Sequence, residues 1–222
     1  MFLQNLATPD GRFYYFAWVL IAVVSTVLHE LGHGLTAIKL GDNTPREQGR
    51  ITGNPLVHLG PFSIGALLIT GMCWGAMPVD PTRLRGRYGE TQMALAGPLA
   101  NLLIALLALV ANSMWIRFSG GIPEQATTAS RASQLLWMTC YINLILFAFN
   151  LLPLPPLDGS HILANLSPRY RELLSTEGFR SMSIVLFIAA FVLIGFLFEP
   201  MQQVALVLTE MLSGVDLFLT GD

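Results

Sequence analysis

The chain has 222 residues, of which 53% are hydrophobic and 12% charged, and its mean hydropathy is +0.59. A soluble domain carries about twice that charged fraction, and here the apolar residues come in long runs rather than amphipathic stripes, which points to an all-α polytopic membrane protein. The formal net charge of −2, with no basic or acidic block, gives nucleic-acid binding no electrostatic support.

The N-terminus, MFLQNLATPDGRFYYF, has neither a basic n-region nor a small-residue cleavage site, so no removable signal peptide is expected. The first span is predicted over Phe13–Leu40, closed by Gly41-Asp42-Asn43. A helix of that length reaches roughly 42 Å, more than the hydrocarbon core of about 30 Å, so it tilts or protrudes. Toward its C-terminal end lies His29-Glu30-Leu31-Gly32-His33. Residues four apart share a helix face, so both imidazoles can reach one ion, while Glu30 can take a proton from a water held there. Ionisable side chains at membrane depth mark function by default. Read as a mere polar cluster, three such groups would be buried at high cost without an ion.

Asp42–His58 is polar and turn-rich. Leu59–Met77 is apolar but interrupted by Gly60, Gly65, Gly71 and Gly75, with Pro61 and Pro78. Irregular backbone survives in a membrane only where protein or a cavity satisfies it, so this stretch is either a broken helix or a re-entrant hairpin. Pro78–Glu90, with Arg83, Arg85 and Arg87, is a loop. Thr91–Trp115 and Gln134–Leu152 are further spans, separated by a polar loop over Arg117–Ser133. The prolines of Pro153-Leu154-Pro155-Pro156 end the latter span just before Leu157-Asp158-Gly159. Ser160–Arg180 is exposed, Ser181–Phe198 is a clean span, and Met201–Leu219 is a surface or interfacial helix. That makes about four transmembrane helices, a re-entrant segment and a C-terminal hydrophobic helix, in one membrane-embedded domain over residues 1–222. Cys73 and Cys140 lie in apolar surroundings, as buried inert thiols do.

Catalytic zinc takes three protein ligands and keeps a position for water. The candidates for the third are His58, His161 and Asp158. Asp158 is the best placed, because proline-imposed turns can aim it back at the bundle. Topology provides a separate test. The metal histidines sit near the end of the first helix, and Asp158 follows the end of the Gln134–Leu152 span. Those ends meet on one side only if Leu59–Met77 does not cross fully. Arginine placement agrees. With a re-entrant segment, Arg46, Arg50, Arg83, Arg85, Arg87, Arg169, Arg171 and Arg180 share one side against Arg12, Arg117 and Arg131, eight to three; a full crossing gives at best seven to four. The re-entrant arrangement, with the N-terminus outside, is therefore expected.

HELGHGLTAIKLG, AGPLAN (Ala96–Asn101) and NLLPLPPLDG (Asn150–Gly159) resemble the site-2 protease family of intramembrane zinc metalloproteases, over roughly residues 13–165. The resemblance implies one zinc ion held by His29, His33 and Asp158, with Glu30 as catalytic base. It also implies a membrane-embedded β-hairpin, which would fall on Leu59–Met77. Asp158-Gly159-Ser160 departs from the D-G-G of many relatives, and the length leaves no room for a PDZ or nucleotide-sensing domain. Asn101 and Asn150 are read either as substrate-backbone contacts or as plain interhelical hydrogen-bonding groups. The expected substrate is a transmembrane segment of another protein, or a signal-peptide remnant, cut in the bilayer of a prokaryotic plasma membrane with the metal toward the cytoplasm. A regulatory membrane partner is compatible with this reading. The rival is a catalytically silent protein that binds membrane helices in a chaperone-like or transport role.

Overall fold

The computed structural model describes residues 2–119 and 128–215. Within them lie α1 (Pro9–Lys39), α2 (Thr44–Glu47), α3 (Pro55–Thr70), α4 (Gly89–Ser119), α5 (Thr128–Asn150), α6 (Asp158–Leu166), α7 (Pro168–Ser175), α8 (Glu177–Leu193) and α9 (Gly195–Ser213), and no β-strand. Three of these helices, α1, α4 and α5, are long and apolar enough to cross a bilayer. The middle of the expected Arg117–Ser133 loop and the end of Met201–Leu219 fall outside the described residues. What is described shortens that loop, since α4 runs on to Ser119 and α5 begins at Thr128.

The bundle is built on α4, which packs against α1, α5, α6 and α9. Ala17 and Ile21 of α1, Ala108 and Leu109 of α4, Met138, Ile142 and Ile145 of α5, and Ala205 of α9 form the buried centre. On the other side of α4, Leu103, Leu106, Leu107, Val110 and Met114 are exposed. A row of exposed leucines suits acyl chains and would be costly against water. Since lipid is as apolar as leucine, helix association relies on close packing and buried hydrogen bonds. The small residues facing the bundle fit that requirement.

α1 opens at Thr8, whose hydroxyl accepts from the Gly11 N–H, with Pro9 in the first helical position. At its other end Asp42 is fully buried. Its carboxylate accepts from the Thr44 N–H at 2.9 Å, the Thr44 hydroxyl at 2.5 Å and the Asp80 N–H at 2.8 Å. The Arg85 N–H, in turn, donates to the Leu40 carbonyl at 2.8 Å. Residues 80–85 are thus stitched to the end of α1. Burial pushes the Asp42 carboxyl upward, but the Thr44 and Asp80 donors and nearby Arg83 outweigh it and hold the group below the usual carboxylate range. The stabilisation is therefore present above about pH 4 and is lost as the pH falls through the lowered value. Asp42→Ala should cost about 2 kcal/mol, since buried donors lose a charged acceptor. Hydrogen exchange should then rise at residues 42–44 and 80–85 while α1 stays protected.

Between these stitches the chain makes an out-and-back excursion along α1. α3 is kinked at Gly60 (φ 69°), and Pro61 restarts it. Near its far end the Tyr15 hydroxyl donates to the Leu68 carbonyl at 2.8 Å and the Trp18 indole donates to the Gly71 carbonyl at 2.7 Å. From Gly71 the chain returns extended beside α3. Ser63 Oγ bridges the N–H and C=O of Trp74 at 2.8 and 2.7 Å, and the Ala76 N–H donates to the His58 carbonyl at 3.1 Å. The implied β-hairpin is thus replaced by a helix and an extended return. An apolar helix closes its backbone bonds internally, so it needs no strand partner on its outer face.

Two C-terminal expectations also change. Ser181–Phe198 is not one uninterrupted helix, because a turn at Ile194 divides it between α8 and α9. The stretch from Met201 is not a surface helix but the body of α9. It buries Ala205, Thr209 and Ser213, spaced four apart, as it packs on α4 and α5.

Candidate metal centre

His29 and His33 lie one turn apart on α1, 8% and 6% exposed. Asp158, expected in a proline-shaped turn, is the first residue of α6. A run of tight backbone bonds carries the chain there from the end of α5: Leu152 N–H to Phe149 O, Leu154 to Leu152, Leu157 to Leu154 and Ser160 to Leu157, all 2.8–3.1 Å. The prolines between them cannot extend α5, so the chain turns back, and α6 packs on α4.

This path puts Asp158 Oδ2 3.2 Å from His29 Nε2 and Oδ1 3.2 Å from His33 Nε2. The two Nε2 atoms are 3.0 Å apart, and one ligand atom from each of the three residues lies within 4.8 Å of the others. His33 Nδ1 is 2.8 Å from the Met93 carbonyl, which can only accept. His33 therefore carries its proton on Nδ1, and its Nε2 presents a lone pair. Asp158 Oδ2 is buried and makes no hydrogen bond despite its closeness to His29. The His33 Nε2 lone pair, the unpartnered Asp158 Oδ2 and His29 Nε2 thus converge at about 3 Å, an arrangement that a cation among them would satisfy. Two imidazoles and one carboxylate suit zinc and leave a position for water.

Close packing protects this geometry. Gly97 of α4 lies against both rings, so that a Cβ there would come within 2.3 Å of His33 Nε2 and 2.7 Å of His29 Cε1. Glu30 is 6% exposed and within electrostatic reach of His29, His33 and Asp158. The extended return passes directly over it: a Cβ on Gly75 would be 2.4 Å from Glu30 Oε1.

The other sequence candidates fall elsewhere. His161 is half exposed and turned to Glu90, 3.7 Å away. His58 is buried with its Nε2 2.8 Å from the Thr52 carbonyl, outside the His29/His33/Asp158 cluster. Asn150 donates to the Leu146 carbonyl of its own helix at 2.9 Å. Asn101, fully buried, has Oδ1 2.6 Å from His29 Nδ1, and its Nδ2 donates to Asn143 Oδ1 at 2.9 Å. Asn143 and Gly97 carry geometry that sequence reading did not assign. Their signals were visible: an asparagine inside an apolar span, and a glycine within AGPLAN.

The sequence profile of peptidase family M50 matches residues 15–195. YwhC of Bacillus subtilis is 34% identical over 177 residues, covering 78% of this chain and 79% of its own. Rip2 of Mycolicibacterium smegmatis is 32% identical over 162 residues, 69% of this chain and 58% of its own. Zinc metalloprotease MJ0392 of Methanocaldococcus jannaschii is 28% identical over 174 residues, 78% of this chain and 41% of its own. No solved structure matches. With a His/His/Asp cluster set among apolar helices and a family match over most of its length, this chain belongs to peptidase family M50 and is a membrane zinc metalloprotease.

Proposed function

We propose that the protein is an intramembrane endopeptidase that cuts peptide bonds within transmembrane segments of other membrane proteins. His29, His33 and Asp158 hold the metal, and Glu30 is the general base. The observation that carries this reading is the depth of the cluster. His29 is about 30 Å along α1 from Pro9 and about 15 Å from Lys39, which supports a position for the two histidines inside the span rather than beyond its end.

A zinc ion bound there supplies Lewis acidity to a water molecule and to a peptide carbonyl. Glu30 takes the proton from the attacking water and returns it to the leaving amine. Gly75 and the extended segment around it hold the Glu30 carboxylate against α1 and keep bulk water off one side of it. The extended return over residues 72–79 can also receive an unwound stretch of substrate by backbone pairing, because a helical substrate hides its peptide bonds until it opens. We read the whole out-and-back excursion as re-entrant, which puts the metal on the arginine-rich, cytoplasmic side of a prokaryotic plasma membrane. In this reading Asn101 orients His29, since both ends of its amide are engaged. Asn150, at the end of α5 near the Asp158 turn, remains the residue to contact substrate backbone.

The test is reconstitution of the purified protein in liposomes with a single-span protein, followed by mass spectrometry of the products. Cuts inside the apolar segment are expected. Cuts confined to the water-exposed flanks would overturn the intramembrane reading.

A further inference from the structure

A polar chain runs from His29 away from the metal and across two helices. Asn101 of α4, Asn143 of α5 and Ser25 of α1 are at most 1% exposed. Side-chain amides can usually be turned either way, which would leave the tautomer of His29 undetermined. Here one fixed point removes the ambiguity. Asn143 lies 2.9 Å from the backbone carbonyl of Thr139, an obligate acceptor, so Nδ2 must face it; the same Nδ2 also donates to Ser25 Oγ at 2.9 Å. Asn143 Oδ1 is then the group turned toward α4, and it accepts from Asn101 Nδ2 at 2.9 Å. That leaves Asn101 Oδ1 toward His29, where at 2.6 Å it accepts a proton held on Nδ1.

We propose that Asn143, which touches neither metal nor substrate, is a positioning residue that fixes the tautomer of His29 and so keeps its Nε2 lone pair available to the metal. The inference rests on the reading of His29 as a ligand. A carbonyl in the helical backbone of α5 sets the direction, and Asn143 and Asn101 pass it inward. Without Asn143, Asn101 can rotate its amide and offer Nδ2 to His29. The ring then carries its proton on Nε2, the atom that must bind.

The experiment measures zinc and cobalt(II) affinity of the full-length protein in detergent, by chelator competition, together with the cobalt d–d spectrum. Asn143→Leu should weaken binding by about 10–100-fold, the usual effect of losing support behind a metal-ligating histidine. Ser25→Ala removes a hydrogen bond from the same network but leaves the Thr139 carbonyl in place, so affinity should stay within about twofold. In the Asn143→Leu background, Asn101→Asp supplies a group that only accepts, whichever way it turns, and should restore affinity and spectrum. Affinity within twofold of wild type in Asn143→Leu, an equal loss in Ser25→Ala, or no recovery in the double variant would each overturn the proposal. Failure of the ligand reading itself looks different: the unaltered protein would bind no stoichiometric zinc.

Discussion

Glu30→Gln should abolish measurable proteolysis while leaving one zinc per chain. The amide keeps the size of the carboxylate and its place beneath the Gly75 backbone, but it cannot accept a proton from the attacking water. Loss of a positioned general base lowers rates by about 10²–10⁴-fold. His29, His33 and Asp158 are untouched, so metal content separates this effect from collapse of the site. The paired measurement is cleavage of a reconstituted single-span substrate and elemental analysis of the same preparation. Wild-type cleavage by the variant would sink the assignment of Glu30. Loss of zinc alongside activity would show that Glu30 supports the site and not the proton transfer.

The second large effect comes from one methyl group. Gly97→Ala places a carbon within 2.3 Å of His33 Nε2 and 2.5 Å of its Cε1, distances that real contacts do not reach. The ring has no easy retreat, because its Nδ1 is tied to the Met93 carbonyl and Asp158 lies 3.2 Å from Nε2. α4 itself is held by α1, α5, α6 and α9, so backing it away would disturb the whole bundle. Either ring or helix must shift, and misplacement by about 1 Å costs on the order of 10²-fold in activity. Zinc content after dialysis against a chelator should fall with it. Gly178→Ala, at a position with nothing within 4 Å of the added carbon, is the matched control and should change neither. Retention of full zinc and activity by Gly97→Ala would mean that α4 does not press on the ligands as described.

The family, the metal and the reaction were legible in sequence because they depend on local spacing. His29 and His33 share a face by helix periodicity, and Glu30 is adjacent by chain connectivity. The link from those residues to Asp158, more than a hundred positions away, came from the proline-imposed turns before it and from the motif resemblance. The requirement that two helix ends lie on one side of the membrane then bore on how Leu59–Met77 runs. The structure brings the three together. Apolar runs likewise marked α1, α4 and α5, since a bilayer demands length and composition and little else.

What sequence could not determine depends on which helix faces which. Leu59–Met77 has the glycines and proline of broken backbone, and nothing local says whether the break yields a hairpin or a helix with an extended return. Contacts with Tyr15 and Trp18 at one end and with Asp42 at the other decide it. The Met201–Leu219 stretch carries Glu210 and Gly214 and looks peripheral, yet a four-residue spacing of small side chains seats α9 against α4 and α5. Asn101 and Asn143 are ordinary intramembrane asparagines until α1, α4 and α5 meet, and only then do their amides acquire a direction. Sequence alone therefore singled out the candidate reactive groups, because chemistry needs particular residues at particular spacings. The tertiary structure decided what holds them, because the backing of His29, the clearance at Gly97 and the cover over Glu30 are all contacts between segments distant in the chain.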